Sequence, residues 1–250
     1  MNPQYHYEAL GETLSICVSP EHKFGTDAFL LSDFAAPRRK DQVCDLGTGC
    51  GIVALAWYRS AETRPRHCCC VDLQPQAIDQ LTLTLAHNHL EDAITPVLAD
   101  LKNLRGVLDG QSFDVVTCNP PYKMEGRGIL SETGSDQIAR HETACTIDDV
   151  CRAAAWLLRF GGRLCVCQRP ERLPDVMEAM RQNGLEPKRL RMVQQRPDTA
   201  PWLFLLEGRR GGNPFLQVMP PLLIEGEGGF SPEMLRIYGK YANLPKEEKN

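Results

Sequence analysis

Residues 43–51 read Val43-Cys44-Asp45-Leu46-Gly47-Thr48-Gly49-Cys50-Gly51, a short strand that runs into three closely spaced glycines. Glycine lets the backbone turn tightly and approach a ligand closely. A dinucleotide-binding G-x-G-x-x-G turn would place its third glycine at position 52, where the chain has Ile52. The spacing here is G-x-G-x-G with an acidic residue two positions upstream. A strand, a glycine turn and the helical pattern of residues 52–59 together predict the first unit of a nucleotide-binding α/β fold.

Strand and helix patterns alternate after this turn. Strands are predicted at 43–45, 67–73, 94–99, 113–118, 163–168, 190–194 and 202–207. Helices are predicted at 28–36, 52–59, 75–89, 147–158 and 171–182, with a weak helix near 101–108. This order predicts a doubly wound α/β fold with a mostly parallel, seven-stranded sheet. The last two strands have no helix between them, so we expect a C-terminal antiparallel hairpin.

The chain divides into three predicted parts. Residues 1–40 form an N-terminal segment that packs on the core and lines the ligand site, residues 41–208 form the main domain, and residues 209–250 form a Gly/Pro-rich extension with a frayed end. Residues 123–146 make a loop too long for a simple connection, which is typical of active-site elements or disorder.

Composition indicates an ordinary globular protein, with 42% hydrophobic and 24% charged residues and a net charge of −4. No apolar run reaches the about 20 residues that span a bilayer, and the first residues lack the pattern of a signal peptide. We therefore expect a cytoplasmic protein with no membrane partner. Residues 151–210 hold 12 Lys and Arg against 6 Asp and Glu, which fits either a polyanionic substrate or solvated helix faces. The sequence carries no signal for an oligomeric state.

The 11 cysteines are expected to be reduced thiols that act as small core residues. Their number is odd and no C-x-x-C pair occurs. Cys68, Cys69 and Cys70 would alternate between the two faces of a strand, so they cannot converge on one metal. A zinc site is the alternative, but we predict no metal.

Asn119-Pro120-Pro121-Tyr122 directly follows the predicted strand at 113–118. Two prolines lack N–H donors and fix φ, so the strand must end there in a stiff, extended loop. An amide, a free carbonyl and an aromatic ring are then held at the carboxyl end of a strand, where open α/β sheets bind ligands. This arrangement is suited to gripping a planar amino group.

Two acidic residues end the neighbouring strands. Asp72 ends the second strand, where a carboxylate can accept hydrogen bonds from two ribose hydroxyls. Asp100 ends the third strand, beside the expected place of an adenine. Each carboxylate could instead serve only to cap the turn that follows.

Together these motifs resemble the Rossmann-like S-adenosylmethionine-dependent methyltransferases that methylate exocyclic or amide nitrogens. The resemblance covers roughly residues 20–208 and is most specific at Asn119-Pro120-Pro121-Tyr122. The segment Phe24-Gly25-Thr26-Asp27-Ala28-Phe29-Leu30-Leu31 is similar to the bacterial methyltransferases of the adenine beside the anticodon of valine tRNA, in which it lines the cofactor pocket. Looser likenesses to the same family are Ala139-Arg140-His141-Glu142 and Gly229-Phe230-Ser231.

The resemblance implies S-adenosyl-L-methionine as the cofactor and a tRNA as the substrate. The predicted catalytic residues are Asn119, Pro120, Pro121 and Tyr122. The predicted cofactor-binding residues are Gly25, Thr26, Asp45, Gly47, Thr48, Gly49, Gly51, Asp72, Leu73, Asp100, Leu101 and Asn119. The predicted substrate-binding residues are Lys123, Arg140, His141 and Glu142, although each of these could equally be a solvated polar residue. Trp57, Trp156 and Trp202 are predicted to be core residues.

Two acceptors at Asn119 and Pro120 can each take one N–H of a planar amino group, which predicts methylation of an amino nitrogen. The resemblance implies that this nitrogen is adenine N6. A protein glutamine amide presents the same group, so a glutamine-N5 methyltransferase acting on a release factor is the alternative. Those enzymes usually carry an extra N-terminal helical domain, and only about 40 residues precede the first strand here. DNA adenine methylation and a binding module without catalysis are further alternatives.

Overall fold

The fold is described by a computed structural model for residues 5–20, 22–61, 63–120, 145–239 and 241. The strands within those ranges are β1 His6–Ala9, β2 Ser15–Val18, β3 Gln42–Leu46, β4 His67–Asp72, β5 Ile94–Leu98, β6 Phe113–Cys118, β7 Leu158–Gln168, β8 Leu185–Gln194, β9 Leu203–Arg210, β10 Gln217–Val218, β11 Leu222–Leu223, β12 Glu225–Gly226 and β13 Gly229–Phe230. The α-helices are α1 Thr26–Ala35, α2 Ile52–Trp57, α3 Pro75–Asn88, α4 Ile147–Leu157, α5 Leu173–Gln182 and α6 Pro232–Tyr238.

The central sheet has the order β10-β8-β9-β7-β6-β3-β4-β5, and β11 also pairs with β8. Strand β9 runs antiparallel to both neighbours, β7 and β8, whereas the other pairs in this sheet are parallel. The seven predicted strands are β3 to β9, and the predicted doubly wound, mostly parallel sheet with its antiparallel hairpin is confirmed. The two-residue strands β10 and β11 extend the β8 edge.

The direction of winding reverses beside β3. From β3 the chain proceeds through β4 to β5 on one side, and it later continues through β6 to β7 on the other side. Ligands of open α/β sheets bind outside the carboxyl ends of the strands at such a reversal. The residues that follow Leu46 of β3 and Cys118 of β6 meet there, because those two residues are register partners.

Alternating side chains of the strands fill two hydrophobic clusters, one on each face of the sheet. Cys68 and Cys70 of β4 join the cluster covered by α1, α2 and α3, whereas Cys69 joins the cluster covered by α4 and α5. The expectation that the three cysteines alternate between faces is confirmed. Helices lie on both faces because every strand in the middle of the sheet presents apolar side chains in both directions.

The segments at both ends of the chain pack onto this core. The hairpin β1–β2 lies on α3, where the Cys17 backbone N–H donates to Thr84 Oγ1 at 2.9 Å. Helix α6 packs against α1, and Tyr238 of α6 meets Phe29 of α1 edge-on with ring centroids 5.2 Å apart. None of the helices in the described ranges is both long enough and apolar enough to span a membrane.

Four local predictions were wrong, and one is the start of strand β8, which begins at Leu185 instead of residue 190. The helix expected near 101–108 is only a 3₁₀ turn at Leu101–Asn103, because Gly106 adopts φ +83° and breaks the helical path. Strand β7 begins at Leu158 instead of residue 163, since Leu158 is already extended and the register with β6 shifts across Gly161 and Gly162. Trp202 is 38% exposed and therefore not a core residue.

Candidate active site

The glycine turn after β3 depends on left-handed backbone conformations. Gly47, Gly49 and Gly51 have φ of +67°, +55° and +85°, which favour glycine over residues with a side chain. The Gly47 and Thr48 N–H groups donate to the Val71 carbonyl at 2.9 and 3.0 Å, which ties the turn to β4. At Gly51, an added Cβ would lie 2.5 Å from Leu81 Cδ1. This glycine therefore allows α3 to approach closely.

Asp45 is buried beneath the turn and accepts hydrogen bonds from two threonines. Thr48 Oγ1 donates to one carboxylate oxygen at 2.7 Å, and Thr117 Oγ1 of β6 donates to the other at 2.6 Å. Burial raises the pKa of Asp45 to about 6, although both threonine hydroxyls oppose the rise by stabilising the charge. Asp45 therefore holds the turn against β6 at the point where the winding reverses.

Asp72 supports the turn from the neighbouring strand. Its Oδ2 accepts the Gly49 N–H at 2.8 Å, and its Oδ1 accepts the Gln74 N–H at 2.9 Å. A carboxylate has about four acceptor positions, so Asp72 retains capacity for hydroxyl donors of a ligand. The adjacent Leu73 is 46% exposed and presents an apolar surface at the same edge.

Asp100 ends the segment after β5 and caps the 3₁₀ turn that follows. Its Oδ1 accepts the Lys102 N–H at 2.9 Å, and the Lys102 ammonium lies 3.8 Å from Oδ2. The Ala99 N–H donates to the Asp72 carbonyl at 3.0 Å, which brings Asp100 and the half-buried Leu101 to the same edge as Asp72.

Asn119 directly follows β6, and its amide nitrogen and amide oxygen form hydrogen bonds with different partners. Its Nδ2 donates to Asp27 Oδ2 at 3.3 Å, and its Oδ1 accepts from Cys167 Sγ at 3.0 Å. Asp27 lies in the first turn of α1, and the buried Cys167 lies on β7. The N-terminal segment and the core therefore meet at this amide.

The start of α1 is shaped by its predicted residues Gly25 and Thr26. A Cβ at Gly25, the N-cap, would lie 2.8 Å from Asp27 Oδ1, so only glycine leaves that carboxylate its present place. The Thr26 hydroxyl lies 2.6 Å from the Tyr238 hydroxyl of α6. This hydrogen bond links the start of α1 to the C-terminal segment.

The structure brings most predicted site residues in the described ranges to one edge of the sheet, and Asn119 is linked to Asp27 by a hydrogen bond. Pro120 follows Asn119 and is half-buried. The predicted residues outside the described ranges are Pro121, Tyr122, Lys123, Arg140, His141 and Glu142.

Three contacts of the site residues were missed by sequence reasoning: Thr117 on Asp45, and Asp27 and Cys167 on Asn119. Thr117 carried a usable signal, because a hydroxyl inside an apolar strand needs a buried partner. Cys167 carried none. Within the described ranges, no three His, Cys, Asp or Glu side chains are grouped to hold a metal ion.

Chemically, the edge offers a backbone turn, carboxylates for hydroxyl donors and an oriented amide. Apart from each glycine and its two chain neighbours, no heavy atom of the described residues lies within 4 Å of a Cβ added at Gly47 or Gly49, so the backbone there faces open space. The amide oxygen of Asn119 and the carbonyl of Pro120 can accept hydrogen bonds. These features suit group transfer to a nitrogen from a nucleoside-bearing donor.

Comparison with known proteins agrees with this chemistry. The family model described as methyltransferase small domain matches residues 21–184. A protein of Actinobacillus pleuropneumoniae serotype 7 named tRNA1(Val) (adenine(37)-N6)-methyltransferase is 31% identical over 142 residues, which is 56% of this chain and 56% of that protein. A Porphyromonas gingivalis protein of the same name is 25% identical over 227 residues, 86% of each chain.

Among solved structures, a predicted O-methyltransferase from Agrobacterium tumefaciens superposes with a TM-score of 0.68 and 19% sequence identity. The superposition covers 86% of this chain and 96% of that chain. This likeness shows that the two proteins share a fold.

Proposed function

Since the chain belongs to the methyltransferase small domain family, whose model matches residues 21–184, we propose that it transfers a methyl group from S-adenosylmethionine to the exocyclic N6 of an adenine in RNA. The observation that best supports this proposal is the Asn119 amide at the carboxyl end of β6, whose nitrogen and oxygen each have a hydrogen-bond partner. The names of the relatives support a tRNA substrate and the adenine beside its anticodon as the target.

The donor site is formed by the turn after β3 and the ends of β4 and β5. S-adenosylmethionine, when bound, supplies an electrophilic methyl group on a positively charged sulfur. The open backbone at Gly47 and Gly49 would hold its methionine part, and Asp72 would accept from its ribose hydroxyls. Asp100 and Leu101, with Leu73, would flank its adenine. Gly25, Thr26, Asp45, Thr48 and Gly51 are the other residues that we propose to bind the cofactor.

The main task of the protein is to make an amino nitrogen nucleophilic. The lone pair of adenine N6 is delocalised into the ring, so the nitrogen attacks poorly. Asn119 Oδ1 and the Pro120 carbonyl would each accept one N–H, which favours a pyramidal nitrogen with a localised lone pair. That stabilisation is greatest in the transition state. The methylated nitrogen then loses one proton to water, so no strong general base is needed.

The remaining predicted residues complete the proposal. Tyr122 would stack on the target base, a contact worth about 1–3 kcal/mol in comparable sites, while Lys123, Arg140, His141 and Glu142 would contact the RNA. An anticodon-loop adenine is unpaired, so turning it into the site costs little. We also propose that residues 1–40 line the donor site, residues 41–208 form the catalytic domain and residues 209–250 form an extension. A tRNA substrate implies a cytoplasmic protein.

The experiment is methyl transfer from labelled S-adenosylmethionine to bulk tRNA and, separately, to a release factor. We expect label in tRNA with the wild-type protein and a loss of at least about 100-fold with Asn119→Ala, because an acceptor used in the transition state is removed. Asn213→Ala is the matched control, since Asn213 is exposed at the other edge of the sheet, where its backbone carbonyl accepts from Lys188.

Label in the release factor and none in tRNA would replace adenine with glutamine as the target. Undiminished transfer by Asn119→Ala would remove the amide from the mechanism. Both results are informative only if each variant binds S-adenosylmethionine, which calorimetry would establish first.

A further inference from the structure

We propose that Asp27 is a positioning residue that fixes the orientation of the Asn119 amide, which the Cys167 thiol contacts from the opposite side. The juxtaposition consists of Asp27 Oδ2 at 3.3 Å from Asn119 Nδ2 and Cys167 Sγ at 3.0 Å from Asn119 Oδ1. The inference rests on the proposed methyl transfer, and it assigns to the start of α1 a role in catalysis in addition to lining the donor site.

An asparagine amide can be held in two orientations that differ by exchange of its oxygen and nitrogen. An ionised carboxylate only accepts hydrogen bonds, and an amide NH₂ only donates them. Asp27 therefore selects the orientation in which Nδ2 faces α1. In the reversed orientation, two acceptor oxygens would face each other at this distance, which is repulsive.

Cys167 contacts the amide from the other side. Its Sγ–H donates to Oδ1 in this orientation, but its sulfur is also a weak acceptor, so the thiol accommodates either orientation and the choice falls to Asp27. Cys167 is fully buried on β7, and its neighbour Val166 pairs with Cys118, the residue before Asn119. A thiol is a weak donor, so a target N–H would compete well with it for Oδ1.

The position of Asp27 is itself fixed by its surroundings. Its Oδ1 accepts the Ala28 N–H at 2.9 Å, and the absence of a Cβ at Gly25 leaves room for this oxygen. The same helix is buried through Phe29, Leu30 and Leu31. The carboxylate is therefore presented by a packed element and not by a mobile loop.

The orientation matters because the reaction needs an acceptor. A reversed amide would direct an N–H at the target amino group, which itself must donate its hydrogen bonds. Such an enzyme would bind S-adenosylmethionine and the RNA but would rarely form the productive arrangement. We therefore expect a change at Asp27 to lower kcat while leaving the affinity for S-adenosylmethionine almost unchanged.

The test is Asp27→Asn, which keeps the size of the side chain. Because the new amide oxygen is needed by the Ala28 N–H, its NH₂ would face Asn119 and would oppose the present orientation of the Asn119 amide. We expect kcat to fall about 10- to 100-fold, with KM for tRNA and Kd for S-adenosylmethionine within about threefold of wild type. Asp33→Asn is the matched control on the same helix. The Asp33 carboxylate accepts a hydrogen bond from Arg236 at 2.6 Å and has no hydrogen bond to Asn119 among the described contacts. Its kcat should be unchanged.

A double-mutant cycle in single-turnover assays separates positioning from an independent effect. In the Asn119→Ala background no amide remains to be oriented, so Asp27→Asn should change the rate by less than about twofold. An equal fall in both backgrounds, or weaker S-adenosylmethionine binding with an unchanged kcat, would overturn the proposal. Asp27→Ala provides the same cycle if Asp27→Asn does not fold. If Asn119→Ala alone had no effect, the proposed catalytic use of the amide would fail instead.

Discussion

Replacing Thr117 with Val should reveal how much the buried Asp45 carboxylate depends on its hydroxyl partners. Thr117 Oγ1 donates to Asp45 at 2.6 Å, and both side chains are buried, with 0% and 1% of their surfaces exposed. Valine has nearly the same shape and is also β-branched, so β6 should be undisturbed. The variant removes one hydrogen bond and leaves the carboxylate with the Thr48 hydroxyl.

The size of the effect should depend on pH. Burial raises the pKa of Asp45 from 3.8 to about 6. The free energy of unfolding therefore falls as the pH rises through the window between these two values, because the folded state retains a proton that the unfolded state has released. The shift corresponds to about 3 kcal/mol. A hydrogen bond to the ionised carboxylate contributes about 1.5–3 kcal/mol, and one to the neutral acid about 0.5–1.5 kcal/mol. Thr117→Val should therefore cost about 1 kcal/mol more above the window than inside it.

The assay is urea unfolding of both proteins at about pH 5 and about pH 8, with the free energy of unfolding obtained by linear extrapolation. We expect the loss caused by Thr117→Val to be larger at the higher pH. Thr82→Val, at an exposed position on α3, is the control and should change stability by less than about 0.5 kcal/mol at both values. An equal loss at both pH values, or a larger loss at the lower one, would refute the reasoning.

Three further changes test other parts of the account. Asp72→Ala should weaken S-adenosylmethionine binding about 10- to 100-fold in calorimetry, because charge-assisted hydrogen bonds are lost; unchanged affinity would contradict this. Gly51→Ala should lower the Tm measurably, since position 51 has φ +85° and the new Cβ would meet Leu81 Cδ1 at 2.5 Å, whereas Gly11→Ala, with no neighbour within 4 Å, should not. Arg191→Ala removes two hydrogen bonds to Glu233, at 2.8 and 2.7 Å, and should speed proteolysis near α6. Because hydrogen bonds from Arg191 hold the pKa of Glu233 below its ordinary value of 4.5, the wild type should lose the same protection as the pH falls from that value through the lowered pKa of the folded state.

The sheet was predictable because its strands are short apolar runs bounded by glycines, prolines and acids, and because helices alternate with them. The elements at the ends of the chain were not. Strands β10 and β11 have two residues each, and they form only because β8 offers an unpaired edge. The hairpin β1–β2 is held by side chains of α3 that lie far away in sequence, such as Thr84 and Asn88. Such long-range partners leave no local periodicity.

The candidate site was predictable where one residue type is required by backbone geometry. Gly47, Gly49 and Gly51 are visible in sequence because their left-handed conformations favour glycine. The partners of Asn119 were not visible, since Asp27 and Cys167 reach it from elements 92 and 48 residues away.

Part of the basic charge between residues 151 and 210 also proved structural. Arg163, Arg189 and Arg209 lie within 4 Å of the buried Glu207, and the first two also donate to carbonyls at the end of α1. These arginines therefore stabilise the junction between α1 and the sheet. Charge counted along a sequence does not distinguish such internal pairs from a surface for RNA.

Nucleoside analysis of tRNA after incubation with the protein and methyl-deuterated S-adenosylmethionine tests the central claim most directly. The account predicts deuterated N6-methyladenosine, mapped by nuclease digestion to the adenine beside the anticodon, and its loss with Asn119→Ala. Deuterium in another nucleoside, or N6-methyladenosine formed equally well by Asn119→Ala, would contradict it.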